Sequence, residues 1–576
     1  MYNYKKIANV SLFSSLLFFA NAPALCLTIF TAEKIITMED NQPVATAVAI
    51  ENGRIAAVGN LDSLLPLIEK SGGNINRSLE KMVLLPGFID AHVHPTLPAI
   101  LTQFPFVAPE RWSLPTGEFP GSTSPEDYIA RLKELIMAHD KSDEPFITWG
   151  YHPLWHGDID RQSLSSLFPD TPVIIWHRSF HELFLNDLAI SWLGISEDSI
   201  QGLGELANLE RGHFKENGLV AIMPRLQFLF EPKRFQQGMA IFLDMLHQGG
   251  VTTALDMGIG IFGNPQMEIN LIRGTAETMQ SPSRIILTPI ITDFLTRNKS
   301  PEEALKEIES WRTGNSSRVI IDKHFKLMID GAIFSGLSQM GPPGYLDGHE
   351  GVWMVPIPLT KQWAEVFWNA GYKLHAHTNG DKSADALLDL VKELDTKFPR
   401  EDHGTTLEHF AYTREEQNQL ISELGMMVSA NPYYNYILSD IFSEKWLGTE
   451  RGSKMVKLGS LEKLNVPFAL HSDCPMAPLS PLTLAWAAAT RLTINGKTSD
   501  VNEKISLRAA IRAITIDAAR VMGWENEIGS IRVGKKADFV VLNADPFKVD
   551  ASQLKTIEVK GTIFEGKLYP IEDKIN

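Results

Sequence analysis

His92-Val93-His94 closes an apolar run that begins Leu84-Leu85-Pro86-Gly87-Phe88-Ile89-Asp90-Ala91. Alternate residues of a strand share a face, so both imidazoles point to one side while Val93 points to the other. Two neutral imidazoles on one strand suit zinc. Lys326, His377, His409 and Asp473 each stand near the C-terminal end of a later apolar run, where they could complete a metal site with His92 and His94. An ammonium cannot bind a cation. Lys326 joins such a set only if burial beside metal ions lowers its pKa and the neutral amine adds carbon dioxide, giving a carbamate whose two oxygens bridge two ions. The competing reading pairs Lys326 with Asp330 or another acid. His377 has a rival in His375, on the same face but one layer deeper, and is preferred because it lies nearer the strand end. Asp473 would serve as ligand and proton shuttle, while His471, deeper again, reads as structural. One or two divalent ions held this way, zinc by the donor types, generate hydroxide near neutral pH for attack on a carbonyl.

These ligands need a scaffold that points several strand ends at one place. Besides the run ending at His94, strand candidates lie near Val251 to Met257, Arg284 to Ile290, His324 to Asp330, Tyr372 to His377, Thr405 to His409, Met426 to Ala430 and Pro467 to His471. Helix-like segments separate them. Such βα alternation predicts an α/β chain with a (β/α)₈ TIM barrel, whose active site sits at the C-terminal strand ends. The ligand candidates then fall on strands one, four, five, six and eight.

The barrel is assigned to residues 86–94 and 251–524. Residues 25–85 and 525–576 carry short alternating strands with Gly turns and are expected to form a composite β-sandwich from both termini. Residues 95–250, inserted after strand one, hold strand candidates at Phe146 to Gly150 and Val173 to Trp176. This stretch reads as a subdomain over the barrel mouth. Its aromatics, among them Trp112, Trp149, Tyr151, Trp155, Trp176, Phe180 and Phe184, could line a substrate pocket, but core packing accounts for more than half of them.

Lys5 and Lys6, the apolar run from about Ala8 to Ala20, and the small residues up to Ala24 have the three-part grammar of a secretory signal peptide over residues 1–24. The run is shorter than the ~20 residues that span a bilayer. Export to the periplasm or medium, with no stable membrane anchor after cleavage, is the expectation. Cys26 and Cys474 are the only cysteines, which excludes a disulfide framework. A formal charge of -16 argues against nucleic acid as a partner, since phosphate binding relies on Lys and Arg. A small-molecule substrate is the expected partner; oligomeric state stays open, a homodimer included.

Taken together, the residues resemble the amidohydrolase superfamily, and within it the YtcJ-like branch. The resemblance is carried by Pro86 to His94, Lys326 to Gly331, His377 to Asp381, Glu408-His409, Ser472-Asp473, and Gly529-Ser530-Ile531 through Gly534-Lys535-Lys536-Ala537-Asp538, and it spans nearly the whole mature chain. It implies a distorted barrel with a composite β-sandwich and hydrolysis of a non-peptide carbon–nitrogen bond, N-formyl or N-acyl. The branch tends to carry a His followed five residues later by Asn in the insert; here these are His181 and Asn186, which the resemblance makes substrate-binding residues, His181 also catalytic. Members usually approach that His through a polar, Gly-containing segment, whereas this chain has Arg178-Ser179-Phe180. Two rivals remain: hydrolysis of an ester or lactone by the same site, and a noncatalytic exported binding protein on a hydrolase scaffold.

Overall fold

A computed structural model describes residues 27–139 and 144–572. The leader assigned to residues 1–24 lies outside the described residues. Strands from both chain ends form a single seven-stranded sheet, in spatial order Lys567–Pro570, Val559–Phe564, Phe539–Leu542, Asn74–Pro86, Thr28–Ile36, Val44–Glu51 and Arg54–Gly59. The two ends meet where Phe539 lies opposite Pro86 and Leu542 opposite Val83. Asn52-Gly53 turns the hairpin between Val44–Glu51 and Arg54–Gly59, with φ of 52° and 75°, the left-handed pair that a tight hairpin requires. The strands assigned to a composite β-sandwich from both termini thus share one hydrogen-bonded sheet, which rolls over. Ala537 N–H donates to the Gly53 carbonyl at 2.9 Å and Ile55 N–H to the Lys535 carbonyl at 2.9 Å. The roll gathers Phe30, Val48, Leu84, Phe539 and Ile563 into one core.

The run Leu84 to His94 is two strands in two sheets, broken at Gly87. Pro86 ends the terminal sheet and Phe88–Val93 begins the parallel one. Gly87 N–H donates to the Asp538 carbonyl at 2.9 Å, and a Cβ at this position would come within 2.0 Å of Thr252 Oγ1. Only glycine lets the chain cross here.

The remaining expected strands are all present, with ends shifted by a residue or two. They lie in two parallel half-sheets: Phe88–Val93, Val251–Ile259, Arg284–Pro289 and Val319–Ile321 in one, His324–Met328, Lys373–Thr378, Thr406–His409, Met427–Ala430 and Phe468–Leu470 in the other. Val251–Ile259 is buried at every position, as a parallel strand covered on both faces must be. The half-sheets meet at two seams. At one, the strand is interrupted between Ile321 and His324, and Ile290 bridges to Lys326. At the other, Asp473 N–H donates to the His92 carbonyl at 2.9 Å and Ser472 N–H to the Asp90 carboxylate at 3.1 Å.

The insert has its own mixed sheet, in order Ala207–Asn208, His213–Lys215, Glu182–Leu185, Val173–His177 and Phe146–Tyr151. Its final helix, Pro232–Gln248, packs on Thr96–Leu101 and on Val251–Ile259, so it belongs with the parallel strands. Trp112, Trp149, Tyr151, Trp176 and Phe184 are buried core. Among the described residues no helix is long and apolar enough to cross a membrane.

Candidate metal centre

The C-terminal ends of the parallel strands bring the six expected ligands to one floor. His94 Nε2 lies 3.3 Å from His92 Nε2 and 3.2 Å from Asp473 Oδ1. Donor atoms of His92, His94 and Asp473 all lie within 4.8 Å of one another, as do those of His92, His409 and His471. His409 Nε2 faces His377 Nδ1 at 2.7 Å, a second pair of ring nitrogens turned toward each other. Burial holds the imidazoles of His92, His377 and His409 well below the ordinary histidine range, with the Lys326 charge a further cause in each case, so the rings are neutral and able to donate lone pairs. For Asp473, burial alone would raise the pKa; the His94 hydrogen bond and the neighbouring cationic groups outweigh it and keep the carboxyl below its usual range.

Lys326 is buried among these groups, and its Nζ has no hydrogen-bond partner among the described residues. Desolvation pushes its pKa down to about 8, against the pull of Glu408, Asp473 and Asp256. The alternative pairing with Asp330 is not formed: that carboxylate accepts from Gln339 N, Asn379 N, Gly380 N and Ser383 Oγ at 2.7–3.0 Å. A buried amine with no protein partner is costly as it stands, and a carbamate on Nζ would turn it into an oxygen ligand. Neutral imidazoles, one carboxylate and this orphaned amine fit a divalent-ion site.

Behind the ligands, Glu408 accepts from His92 Nδ1 at 2.7 Å and from His375 Nδ1 at 2.7 Å. Burial pushes the Glu408 carboxyl up to about 7; in its ionised form it can only accept, which puts the His92 proton on Nδ1 and leaves Nε2 free for a metal. His375 spends its other nitrogen on His324 Nδ1 at 3.0 Å, which removes it as a rival to His377. His471 is held through Nδ1 by Ser429 Oγ at 2.7 Å, yet its buried Nε2 has no partner among the described residues, so it remains a further donor beside His92 and His409. His409 and Asp473 have left-handed backbones, φ 74° and 51°. Each such residue costs on the order of 1–3 kcal/mol and turns its side chain toward the centre, His409 as the last residue of its strand and Asp473 in the segment after Phe468–Leu470.

The floor opens into a cavity of about 460 Å³, with His94, Lys326, His377, His409 and Asp473 at its base. His181 lines it, its ring 6.1 Å from that of His377. His181 Nδ1 lies 2.8 Å from Glu216 Oε2, and Glu216 N–H donates to the His181 carbonyl at 2.9 Å. Burial would lower the His181 pKa, but Glu216 outweighs it and raises the imidazole above its ordinary value. Phe180 and Glu216 flank this arrangement with φ of 67° and 49°.

Asn186 is not brought to the site. It is buried inside the insert, accepts from Val173 N at 2.9 Å and Ala189 N at 3.0 Å, and donates to the Thr171 carbonyl at 2.8 Å. Its oxygen caps helix Asp187–Leu193 and its NH₂ is held by the loop before Val173–His177, so both ends of the amide are used within the insert, which corrects the substrate-binding role expected for it. Arg178 is a clamp. Its buried guanidinium pairs with Glu110, donates to the Met476 carbonyl at 2.8 Å, and stacks 4.6 Å from the ring centres of Trp149 and Phe334. It ties the insert to the segment that follows Asp473.

A sequence model described as the amidohydrolase family matches residues 121–569. The chain belongs to the amidohydrolase family. It is a hydrolase of the carbon–nitrogen class that names the family, and it falls in the YtcJ-like branch. It is similar to N-substituted formamide deformylase of Arthrobacter pascens, 23% identical over 92% of this chain and 96% of the relative. It is equally similar to the protein named amidohydrolase YtcJ of Bacillus subtilis, 23% identical over 93% and 97%. A crystal structure of an uncharacterized metal-dependent hydrolase from Pyrococcus horikoshii shares the fold, with a TM-score of 0.68 at 20% identity over 91% of this chain and 99% of that one.

Three groups that touch the expected site residues were given no role of their own by the sequence: Glu408 behind His92, Glu216 behind His181, and Tyr434, whose hydroxyl lies 3.3 Å from Asp473 Oδ2 and 3.2 Å from His409 Nδ1. Glu408 had a signal, since it shares the inward face with Thr406 on the strand that ends in His409. Glu216 and Tyr434 lie on loop and helix segments whose approach to the site depends on the tertiary fold.

Proposed function

We propose that this amidohydrolase hydrolyses a non-peptide amide, N-formyl or N-acyl, at a divalent metal centre held by His92, His94, Lys326, His377, His409 and Asp473. The half-sheets are read as the two halves of a distorted (β/α)₈ barrel, supported by the hydrogen bonds at both seams. One or two zinc ions, the preference of this donor set, would supply Lewis acidity and activated water near neutral pH. Lys326 enters the set as a carbamate. Asp473 Oδ1 takes the proton from the attacking water and delivers it to the leaving nitrogen, while Tyr434 steadies Oδ2. With Nδ1 of His181 committed to Glu216, Nε2 is the atom left to hold the substrate carbonyl. With residues 1–24 read as a secretory signal peptide, the proposed site of action is outside the cytoplasm.

The observation that carries this reading is Lys326 Nζ, buried and unpartnered among neutral imidazoles at the base of the cavity. The test is a screen of metal-loaded mature protein against N-formyl, N-acyl, ureide and ester compounds. Release of amine from the N-formyl or N-acyl members is expected. Hydrolysis of esters alone would overturn the assignment.

A further inference from the structure

We infer that the substrate is an uncharged compound whose scissile amide sits at the floor and whose bulky apolar group fills the chamber above it. This rests on the hydrolase reading and adds the chemical class. The cavity volume of about 460 Å³ is within the range that holds a whole small molecule. Met223, Met257, Met328, Met354 and Met476 all line it. Thioether side chains are unbranched and polarizable, and such a wall adapts to different apolar shapes. Phe180 from the insert and Ile261 and Phe262 from the loop after Val251–Ile259 complete the apolar enclosure.

The charges in the wall are already spoken for. Glu216 holds His181, and Asp293 pairs with Arg297, whose guanidinium is not in the wall. Lys326 is the sole lysine among the lining residues and no arginine is among them. Its Nζ belongs to the metal group. A carboxylate or phosphate entering the chamber would lose its hydration and meet no guanidinium or free ammonium, the partners that sites for anions supply. A cationic group would meet only acids that already have partners. An N-acyl amino acid, a peptide or a nucleotide is therefore a poor fit, and a neutral amide with an alkyl or aryl substituent is a good one. Hydrolysis itself then creates charge: the amide becomes a carboxylate and an ammonium, and the product left in the apolar chamber is less well held than the substrate was.

The test uses metal-loaded protein and three size-matched N-formyl benzylamines, bearing at the para position a butyl, a carboxyethyl or an aminopropyl group. kcat/KM for the butyl compound should exceed both charged twins by at least about 100-fold, the scale of discrimination expected when a buried charge lacks a partner. Calorimetry with butylbenzene and 4-phenylbutanoate, which have no scissile bond, reads the chamber without turnover. Preference for butylbenzene by a similar factor is expected. Equal or better use of the carboxylate or ammonium twin would overturn the substrate class while leaving the hydrolase reading intact. Preferred binding of butylbenzene with no release of amine from any twin would support the class and overturn the reaction. Failure of both hydrocarbon and carboxylate to bind would overturn the class.

Discussion

Replacing Glu408 with glutamine tests whether the buried carboxylate sets the metal-binding form of His92. In the native protein its two oxygens accept from His92 Nδ1 and from His375 Nδ1, each at 2.7 Å. Glutamine is nearly the same shape but keeps only one acceptor oxygen; its NH₂ would face one of two N–H donors. If that donor is His92, the ring either loses its bond or moves its proton to Nε2, the nitrogen needed by the metal. A hydrogen bond to a charged group contributes roughly 1.5–3 kcal/mol, equivalent to about 10- to 150-fold in binding. Loss of a carboxylate partner behind a metal-bound histidine typically weakens metal affinity 10- to 100-fold. Glu408→Gln should therefore bind zinc about 10- to 100-fold more weakly, read by competition with a chromophoric chelator on metal-stripped protein. The melting temperature of the stripped variant checks that the fold survives. Unchanged zinc affinity in a folded variant would refute the reasoning.

Asp473→Asn should lower kcat by about 10²- to 10⁴-fold, the scale of general acid–base catalysis, in a variant that stays folded by circular dichroism. Retained turnover would contradict its proton-transfer role. Lys326→Ala should lose metal as measured by plasma mass spectrometry, and short carboxylic acids added to the buffer should restore part of the metal content and activity; full occupancy without them would remove Lys326 from the ligand set. Glu216→Gln should cut kcat/KM about 10- to 100-fold with metal content unchanged, since a charged hydrogen bond to His181 is lost. Wild-type kinetics would show that His181 needs no support. Arg178→Met leaves Glu110 buried with the Trp112 indole N–H but no cation and should destabilise by about 3–5 kcal/mol in denaturant unfolding, while the double change with Glu110→Leu should recover much of that. A single variant as stable as the parent would show that the clamp contributes nothing.

How much could be read beforehand follows from what a residue pattern encodes. His92 and His94 were legible because alternate strand positions share a face, and Lys326, His377, His409 and Asp473 because barrel chemistry collects at strand ends. The same period-two rule could not give Glu408 and His409 an inward role together. Adjacent residues should point to opposite sides, and Glu408 and His409 both face inward because His409, the last residue of the strand, takes a left-handed backbone. His375 and His377 satisfy the alternation equally, and only the contacts of His375 with Glu408 and His324 separate them. Asn186 was misassigned by resemblance although a local signal was present: Asn followed by Asp187 before an apolar segment marks a helix start. The terminal sheet was legible as strands but not as one sheet, because the pairing of Phe539 with Pro86 spans most of the chain and alternation carries no partner information. Gly87 was the visible mark of the break in the run to His94, and its meaning came from Thr252, a contact that no local pattern records.

The most direct test of the metal centre is amine release from an N-formyl amine by protein stripped of metal and then titrated with zinc, with bound metal counted at each step. Activity should vanish on stripping and return in proportion to zinc bound, saturating at one or two ions per chain. Full amine release by the metal-free protein would contradict the account.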